Sequence, residues 1–166
     1  MRAISMDYAI RDKCCFLRIS GEIRYSTNSG LEKFSSIVFK DHELDNFVID
    51  LSNADFIDST NLGILASIAN NLARHSRSKP VIISRKKDIS IVLHSMGFEQ
   101  FFNIVDESPD DPDLTYLGIH LEKRSIGESE REILEAHKTL AAMNSKNHEI
   151  FKDVIELLEK ESGNKS

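Results

Sequence analysis

A buried strand, a helix and a second buried strand follow one another mid-chain, and this order constrains the fold more than any other feature. The apolar run Phe47–Leu51 predicts the first strand, and Val81–Ser84 predicts the second. Apolar residues at three- and four-residue spacing predict a helix between them, from Thr60 to about Arg77, with Pro80 beyond its end. Such a unit places its two strands parallel with a right-handed crossover. The chain is therefore predicted to be an α/β protein.

Patterns on both sides extend this unit. Alternating residues along Cys14–Ser20 predict a strand, and the capping-box pair Ser29 and Glu32 predicts the helix that follows. Asp88 is placed to cap a further helix, which Gly97 would end in the left-handed conformation. We expect helices to cover at least one face of the sheet, and the strand order stays open at this point.

An acidic segment that holds two prolines, residues 106–113, divides the chain. Its composition predicts a linker or surface loop, and its carboxylates lack the spacing of a calcium-binding loop. We therefore expect a domain over residues 1–112 and a helical C-terminal extension over residues 113–166. A short strand could also form within Leu114–Ile119.

The extension carries an apolar stripe at helical spacing. Its members are Ile133, His137, Leu140, Phe151, Val154 and Leu158. Asn144 and Asn147 fall on the same stripe, so they mark either a break between two helices or a polar layer in one long helix. The stripe fits a tail packed on its own domain and equally a hairpin or coiled-coil arm for a partner, including self-association.

Composition excludes several classes of function. The formal net charge of -6 argues against binding to nucleic acid or to an anionic membrane. No apolar run is long enough to cross a bilayer and the N-terminus lacks a signal-peptide core, so we expect a cytoplasmic protein. Adjacent Cys14 and Cys15 are not expected to bridge, and the six histidines lack paired metal spacing. We expect no metal, no cofactor and no catalytic residue.

The start of the central helix carries a hydroxyl beside a carboxylate, Ser59 beside Asp58. Unpaired backbone N–H groups and the helix dipole favour anions there, so a phosphate on Ser59 would suit its own helix. A plain N-cap explains the pair equally well. Ser59 lacks the Gly-x-Ser-x-Gly elbow of hydrolases, and the sequence places no histidine nearby to activate it. An enzyme that uses Asp58 and Ser59 would need such a base and a pocket.

Three segments resemble the STAS domains of bacterial anti-sigma factor antagonists. The first is Val48–Leu51 with Phe56–Leu65, which contains Ile-Asp-Ser-Thr-Asn-Leu-Gly. The second is Leu93–Phe98 with its following Phe102–Ile104, and the third is Leu17–Ile23. The resemblance covers about the first two-thirds of the chain. It implies a small α/β domain with a mixed β-sheet and helices mainly on one face, to which the C-terminal helical extension is added.

The resemblance also implies a phosphorylation switch at Ser59, with Thr60 as the rival acceptor. A serine kinase that is itself an anti-sigma factor would add the phosphate, and a PP2C-type phosphatase would remove it. The extension resembles a proteobacterial subgroup whose phosphatase is a response-regulator fusion. The unphosphorylated form would bind the anti-sigma factor and free the sigma factor. The residues expected to form a surface knob for this partner are Ile57, Asp58, Thr60, Asn61 and Leu62, with asparagine at 61 where many members carry glycine.

STAS domains also serve as scaffolds or small-ligand sensors. In that role the protein would act in a partner-switching pathway that controls biofilm, motility or stress response, without direct release of a sigma factor. Ser59 would then carry no phosphate in cells.

Overall fold

The computed structural model describes residues 2–107, 113–120 and 125–163. The strands are β1 (Ser5–Arg11), β2 (Cys14–Ile23), β3 (Asn46–Asp50), β4 (Ala54–Ile57), β5 (Val81–Ile83), β6 (Asn103–Val105) and β7 (Leu117–Gly118). The helices are α1 (Gly30–Asp41), α2 (Ser59–Ala73), α3 (Lys87–Ser95), α4 (Ile126–Met143) and α5 (Ser145–Gly163). A short 3₁₀ turn, Phe98–Gln100, follows α3.

The strands form one mixed sheet in the order β6-β5-β3-β2-β1-β7, and β4 pairs with β2 away from this path. β1 is antiparallel to both of its neighbours, whereas the remaining pairs are parallel. The parallel pairing of β3 with β5 around α2 confirms the strand–helix–strand prediction, and β7 confirms a short strand within Leu114–Ile119. The sequence patterns missed β4, because its two middle residues are exposed and its apolar run is too short to stand out.

The two faces of the sheet differ in polarity, as the alternation along β2 predicts. Cys15, Leu17 and Ile19 are buried beneath the helices. On the opposite face, Arg18 forms an ion pair with Asp7 at 2.8 Å and both side chains are part-exposed. A strand that alternates in this way has one face for a core and one for solvent. The predicted arrangement, a mixed sheet with helices on one face and added C-terminal helices, is confirmed.

The helix boundaries differ locally from the prediction. Ser29 occupies the N-cap of α1 but makes no side-chain capping bond, and Asn28 Oδ1 instead accepts from the Gly30 N–H at 2.7 Å. Lys86, not Asp88, is the N-cap of α3, so Asp88 lies in the first turn, where its charge suits the helix dipole. Gly97 has φ +77° and ends α3 as predicted.

The extension forms a helical hairpin that packs on the rest of the chain, and we call α4 and α5 the C-terminal hairpin. Asn144 breaks the apolar stripe into two helices, because its Oδ1 accepts from the Asn147 N–H at 2.8 Å at the start of α5. The side-chain amides of Asn144 and Asn147 donate to the Met96 carbonyl oxygen at 3.2 and 2.9 Å. Seven hairpin side chains are buried, namely Leu134, Ala136, His137, Leu140, Ala141, Asn147 and Phe151.

Candidate functional site

Asp58 caps α2, and both oxygens of its carboxylate accept hydrogen bonds from neighbouring donors. Oδ1 accepts from the backbone N–H and the side-chain amide of Asn61, both at 2.9 Å. Oδ2 accepts from the Tyr25 N–H at 2.6 Å, which ties the loop after β2 to the start of α2. The bond from the Asn61 backbone N–H satisfies one of the donors that a helix N-terminus would otherwise leave unpaired. Asp58 therefore fixes the geometry of the loop and of the first helical turn.

Ser59 is the first residue of α2, and its hydroxyl is paired with a histidine from the C-terminal hairpin. Ser59 Oγ lies 3.0 Å from His137 Nε2. The other ring nitrogen, His137 Nδ1, lies 2.8 Å from the Ile133 carbonyl oxygen, one turn earlier in α4. His137 is buried, with its ring centroid 5.4 Å from that of Phe151. The sequence places no histidine near Ser59, and the fold brings His137 to it across 78 residues of chain.

The tautomer of the neutral His137 ring follows from its partners. A carbonyl oxygen only accepts, so Nδ1 must carry the proton and donate to Ile133. Nε2 is then an acceptor, and the Ser59 hydroxyl donates to it. The hydroxyl proton and the Nε2 lone pair are thus both occupied while the hairpin is in place.

α4 approaches α2 very closely one turn after Ser59. A Cβ atom built on Gly63 would lie 2.2 Å from the Ala136 carbonyl oxygen, so only glycine fits at this position. The α4 backbone therefore rests directly on the α2 backbone, with no side chain from α2 between them. The hydroxyl of Tyr25 adds a second link by donating to the Glu132 carboxylate in α4. Burial, together with this hydrogen bond, raises the pKa of Tyr25 above its usual value.

The residues predicted for the partner surface lie together but are largely covered. Ile57, Thr60, Asn61 and Leu62 are buried, with exposed fractions of 5%, 7%, 1% and 2%. Asp58 and Ser59 are part-exposed. The expected surface knob is thus hidden in this arrangement, because the core lies on one side of the α2 N-terminus and the C-terminal hairpin on the other.

Sequence reasoning missed the residues that the hairpin contributes. His137 lies on an apolar helical stripe, which indicates packing but does not identify its partner. No sequence pattern linked Tyr25 to Glu132, because the two residues lie far apart in the chain. The one usable clue was a histidine on an otherwise apolar stripe, since a buried polar side chain needs a hydrogen-bond partner.

Metal and membrane sites have no support in the described parts of the chain. Across residues 2–107, 113–120 and 125–163, no three histidine, cysteine or acidic side chains come together as metal ligands. No helix within those ranges is long and apolar enough to span a bilayer. Both cysteines are free thiols, and burial raises the pKa of Cys15 to about 12.

Comparison with known proteins identifies the family. The STAS domain matches residues 5–110, more than half of the chain. The chain belongs to the STAS domain family. Its STAS domain resembles an anti-sigma factor antagonist from Mycobacterium paratuberculosis at 26% sequence identity and a TM-score of 0.56, covering 63% of this chain and 87% of that one. The family predicted from the sequence is confirmed.

A second solved structure shares the fold. Unphosphorylated SpoIIAA, an anti-sigma factor antagonist of Bacillus, aligns with a TM-score of 0.51 at 12% identity, covering 64% of this chain and 90% of that one. No curated protein matches the chain. Asp58 and Ser59 lie inside the STAS domain, whereas His137 lies beyond the matched residues. The candidate site therefore joins a family feature to one supplied by the C-terminal hairpin.

Proposed function

We propose that this protein is an anti-sigma factor antagonist switched by reversible phosphorylation of Ser59. The observation that carries the proposal is the position of Ser59, in a STAS domain, as the first residue of α2 directly after an N-cap aspartate. The unphosphorylated form binds an anti-sigma factor that is also a serine kinase, and so releases a sigma factor. Ile57, Asp58, Thr60, Asn61 and Leu62 shape the surface that this partner reads.

The proposed modification is a simple phosphoryl transfer. A bond forms from Ser59 Oγ to the γ-phosphorus of ATP, the bond from that phosphorus to ADP breaks, and the hydroxyl proton leaves to a base. A PP2C-type phosphatase, as a response-regulator fusion or alone, reverses the step by hydrolysis. Thr60 is the rival acceptor, but it is buried whereas Ser59 is part-exposed, which favours Ser59.

Magnitudes indicate how the phosphate would act. It adds about -1.5 to -2 charges at neutral pH. Interaction with the helix dipole at an exposed site is worth about 0.3–1 kcal/mol. Disrupting a desolvated polar contact in a partner interface costs about 2–5 kcal/mol. The second quantity is larger, so the phosphate acts by excluding the partner from this surface and does not refold the STAS domain.

The remaining assignments follow from this function. The protein is a cytoplasmic regulator and not an enzyme, it needs no cofactor, and it binds neither nucleic acid nor membrane. The paired Ser59 and His137 do not alter this assignment. Asp58 accepts hydrogen bonds from Tyr25 and Asn61, and the second ring nitrogen of His137 faces the Ile133 carbonyl oxygen. His137 therefore has a carbonyl oxygen where the histidine of a hydrolase has a carboxylate. We also propose that the STAS domain ends at residue 112 and that the C-terminal extension begins at residue 113.

The experiment compares Ser59→Ala, Ser59→Asp and the control Thr60→Ala as tagged full-length proteins in lysate of the native cell with ATP. We expect wild type and Thr60→Ala to gain a phosphate on Ser59 by phosphopeptide mass spectrometry. Ser59→Ala should retain the kinase partner and Ser59→Asp should lose it. Equal capture by Ser59→Ala and Ser59→Asp, with no phosphate on Ser59, would favour the scaffold or sensor role.

A further inference from the structure

The surface that a partner of this STAS domain would use is already occupied by the chain itself. α4 lies along α2 from Ser59 to Gly63, and its backbone touches the α2 backbone at Ala136. A protein cannot dock over Ser59 and along this face while α4 is there. From these contacts we infer that the C-terminal hairpin is an intramolecular occupant of the docking surface and must move away before a kinase or an anti-sigma factor can engage Ser59.

The Ser59–His137 hydrogen bond couples this movement to phosphorylation. The hydroxyl donates its only proton to Nε2 at 3.0 Å, and replacing that proton with phosphorus ends the bond. It would also place a bulky group where the His137 ring now lies against Ser59 Oγ. Closure of the hairpin and phosphorylation of Ser59 therefore oppose each other, and by linkage each weakens the other by the same factor.

The attachment of the C-terminal hairpin suits a unit that moves as a whole. Its polar links to the domain include those of Tyr25 and Ser59 at one end and those to the Met96 carbonyl oxygen at the other. Between β6 and α4, the described residues add one two-residue strand, β7, at the edge of the sheet. The strands β2, β3 and β5, which hold the centre of the sheet, pair with one another without help from the hairpin. Opening can therefore leave the sheet intact.

This inference rests on the proposed function for its biological meaning, but its test needs no kinase. The probe is a thiol at position 59, created by Ser59→Cys in a full-length Cys14→Ser background. Two reagents are compared in each protein, N-ethylmaleimide and a maleimide on a polyethylene-glycol polymer. Both react with the same thiolate, so the ratio of polymer rate to small-reagent rate cancels thiol reactivity and reports access for a bulky partner.

A matched pair of substitutions in α4 opens the hairpin or leaves it closed. Ala136→Glu forces a charge into the buried contact with α2, whereas Ala142→Glu makes the same change at an exposed position of the same helix. We expect the rate ratio to rise about tenfold or more with Ala136→Glu and to stay within about twofold of its parent with Ala142→Glu. Equal ratios in all three proteins would overturn the inference.

The reactivity of the Cys15 thiol distinguishes opening of the hairpin from unfolding of the core. It is fully buried in β2 and its raised pKa keeps it protonated, so it reacts only when the core opens. If Cys15 stays protected while position 59 becomes accessible, the hairpin has moved alone.

If Ala136→Glu exposes both thiols, Asn144→Ala replaces it, because this change loosens the far end of the hairpin. A rise at position 59 in that variant supports the inference, and no rise contradicts it. Absence of phosphate on Ser59 in cells would refute the proposed function but not this result.

Discussion

The two helices of the C-terminal hairpin have similar lengths but differ in how much of their surface is buried. α4 buries Leu134, Ala136, His137, Leu140 and Ala141, whereas α5 buries only Asn147 and Phe151 among its described residues. The apolar residues Ile150, Val154 and Leu157 of α5 are exposed. α4 therefore holds the hairpin on the STAS domain and contacts Ser59, while α5 contributes mainly through its first two turns.

The same truncation in each helix tests this difference most strongly. Leu140 is fully buried in α4, and Leu157 is 59% exposed in α5. Leu140→Ala should lower the free energy of unfolding by about 2–5 kcal/mol, because it removes buried methyl groups and leaves a cavity. Leu157→Ala should change it by less than about 0.5 kcal/mol. Urea denaturation measures both, and equal losses would show that α5 is packed as tightly as α4.

Two glycines, Gly63 in α2 and Gly127 in α4, show which part of α4 is packed against α2. Gly63→Ala introduces a methyl group against the Ala136 carbonyl oxygen, and overpacking of this kind costs about 1–3 kcal/mol. Gly127, in the first turn of α4, has open space where a Cβ would lie. Gly127→Ala should therefore stabilise the protein by up to about 1 kcal/mol, through helix propensity alone. Thermal unfolding of the two variants should show shifts of opposite sign.

Tyr25 is expected to have a smaller effect on the free energy of unfolding, seen at alkaline pH. Because the folded state raises the pKa of Tyr25, the unfolded chain loses the phenol proton first as pH rises. The stability that this tyrosine contributes is fully present below its unfolded pKa of about 10 and is lost above it. Glu132 and Glu32 both oppose ionisation at this site. In Tyr25→Phe, the decline in unfolding free energy between about pH 9.5 and 11 should be shallower than in wild type. Identical slopes would show that neither the burial of Tyr25 nor its bond to Glu132 is maintained in solution.

Local periodicity predicted much of the STAS domain, because strands such as Phe47–Leu51 and the helix after Asp58 carry their own signals. The N-cap role of Asp58 was readable for the same reason. β4 was not, since it depends on pairing with β2 and has two exposed residues. The meeting of Ser59 with His137 was equally hidden, because it depends on how α4 docks on α2. A stripe shows that a helix is covered but does not identify the surface that covers it.

The most direct test of the account is native-state hydrogen exchange on the full-length, unmodified protein. A helix that has left its packing surface is only marginally stable in water. We therefore expect the amides of α4 to exchange through an opening that leaves those of β2 and β3 protected, with a lower opening free energy than global unfolding. Ala136→Glu should lower that opening free energy further, and Ala142→Glu should not. If α4, β2 and β3 all exchange only through the same global unfolding, the C-terminal hairpin is a fixed part of the core and does not uncover Ser59.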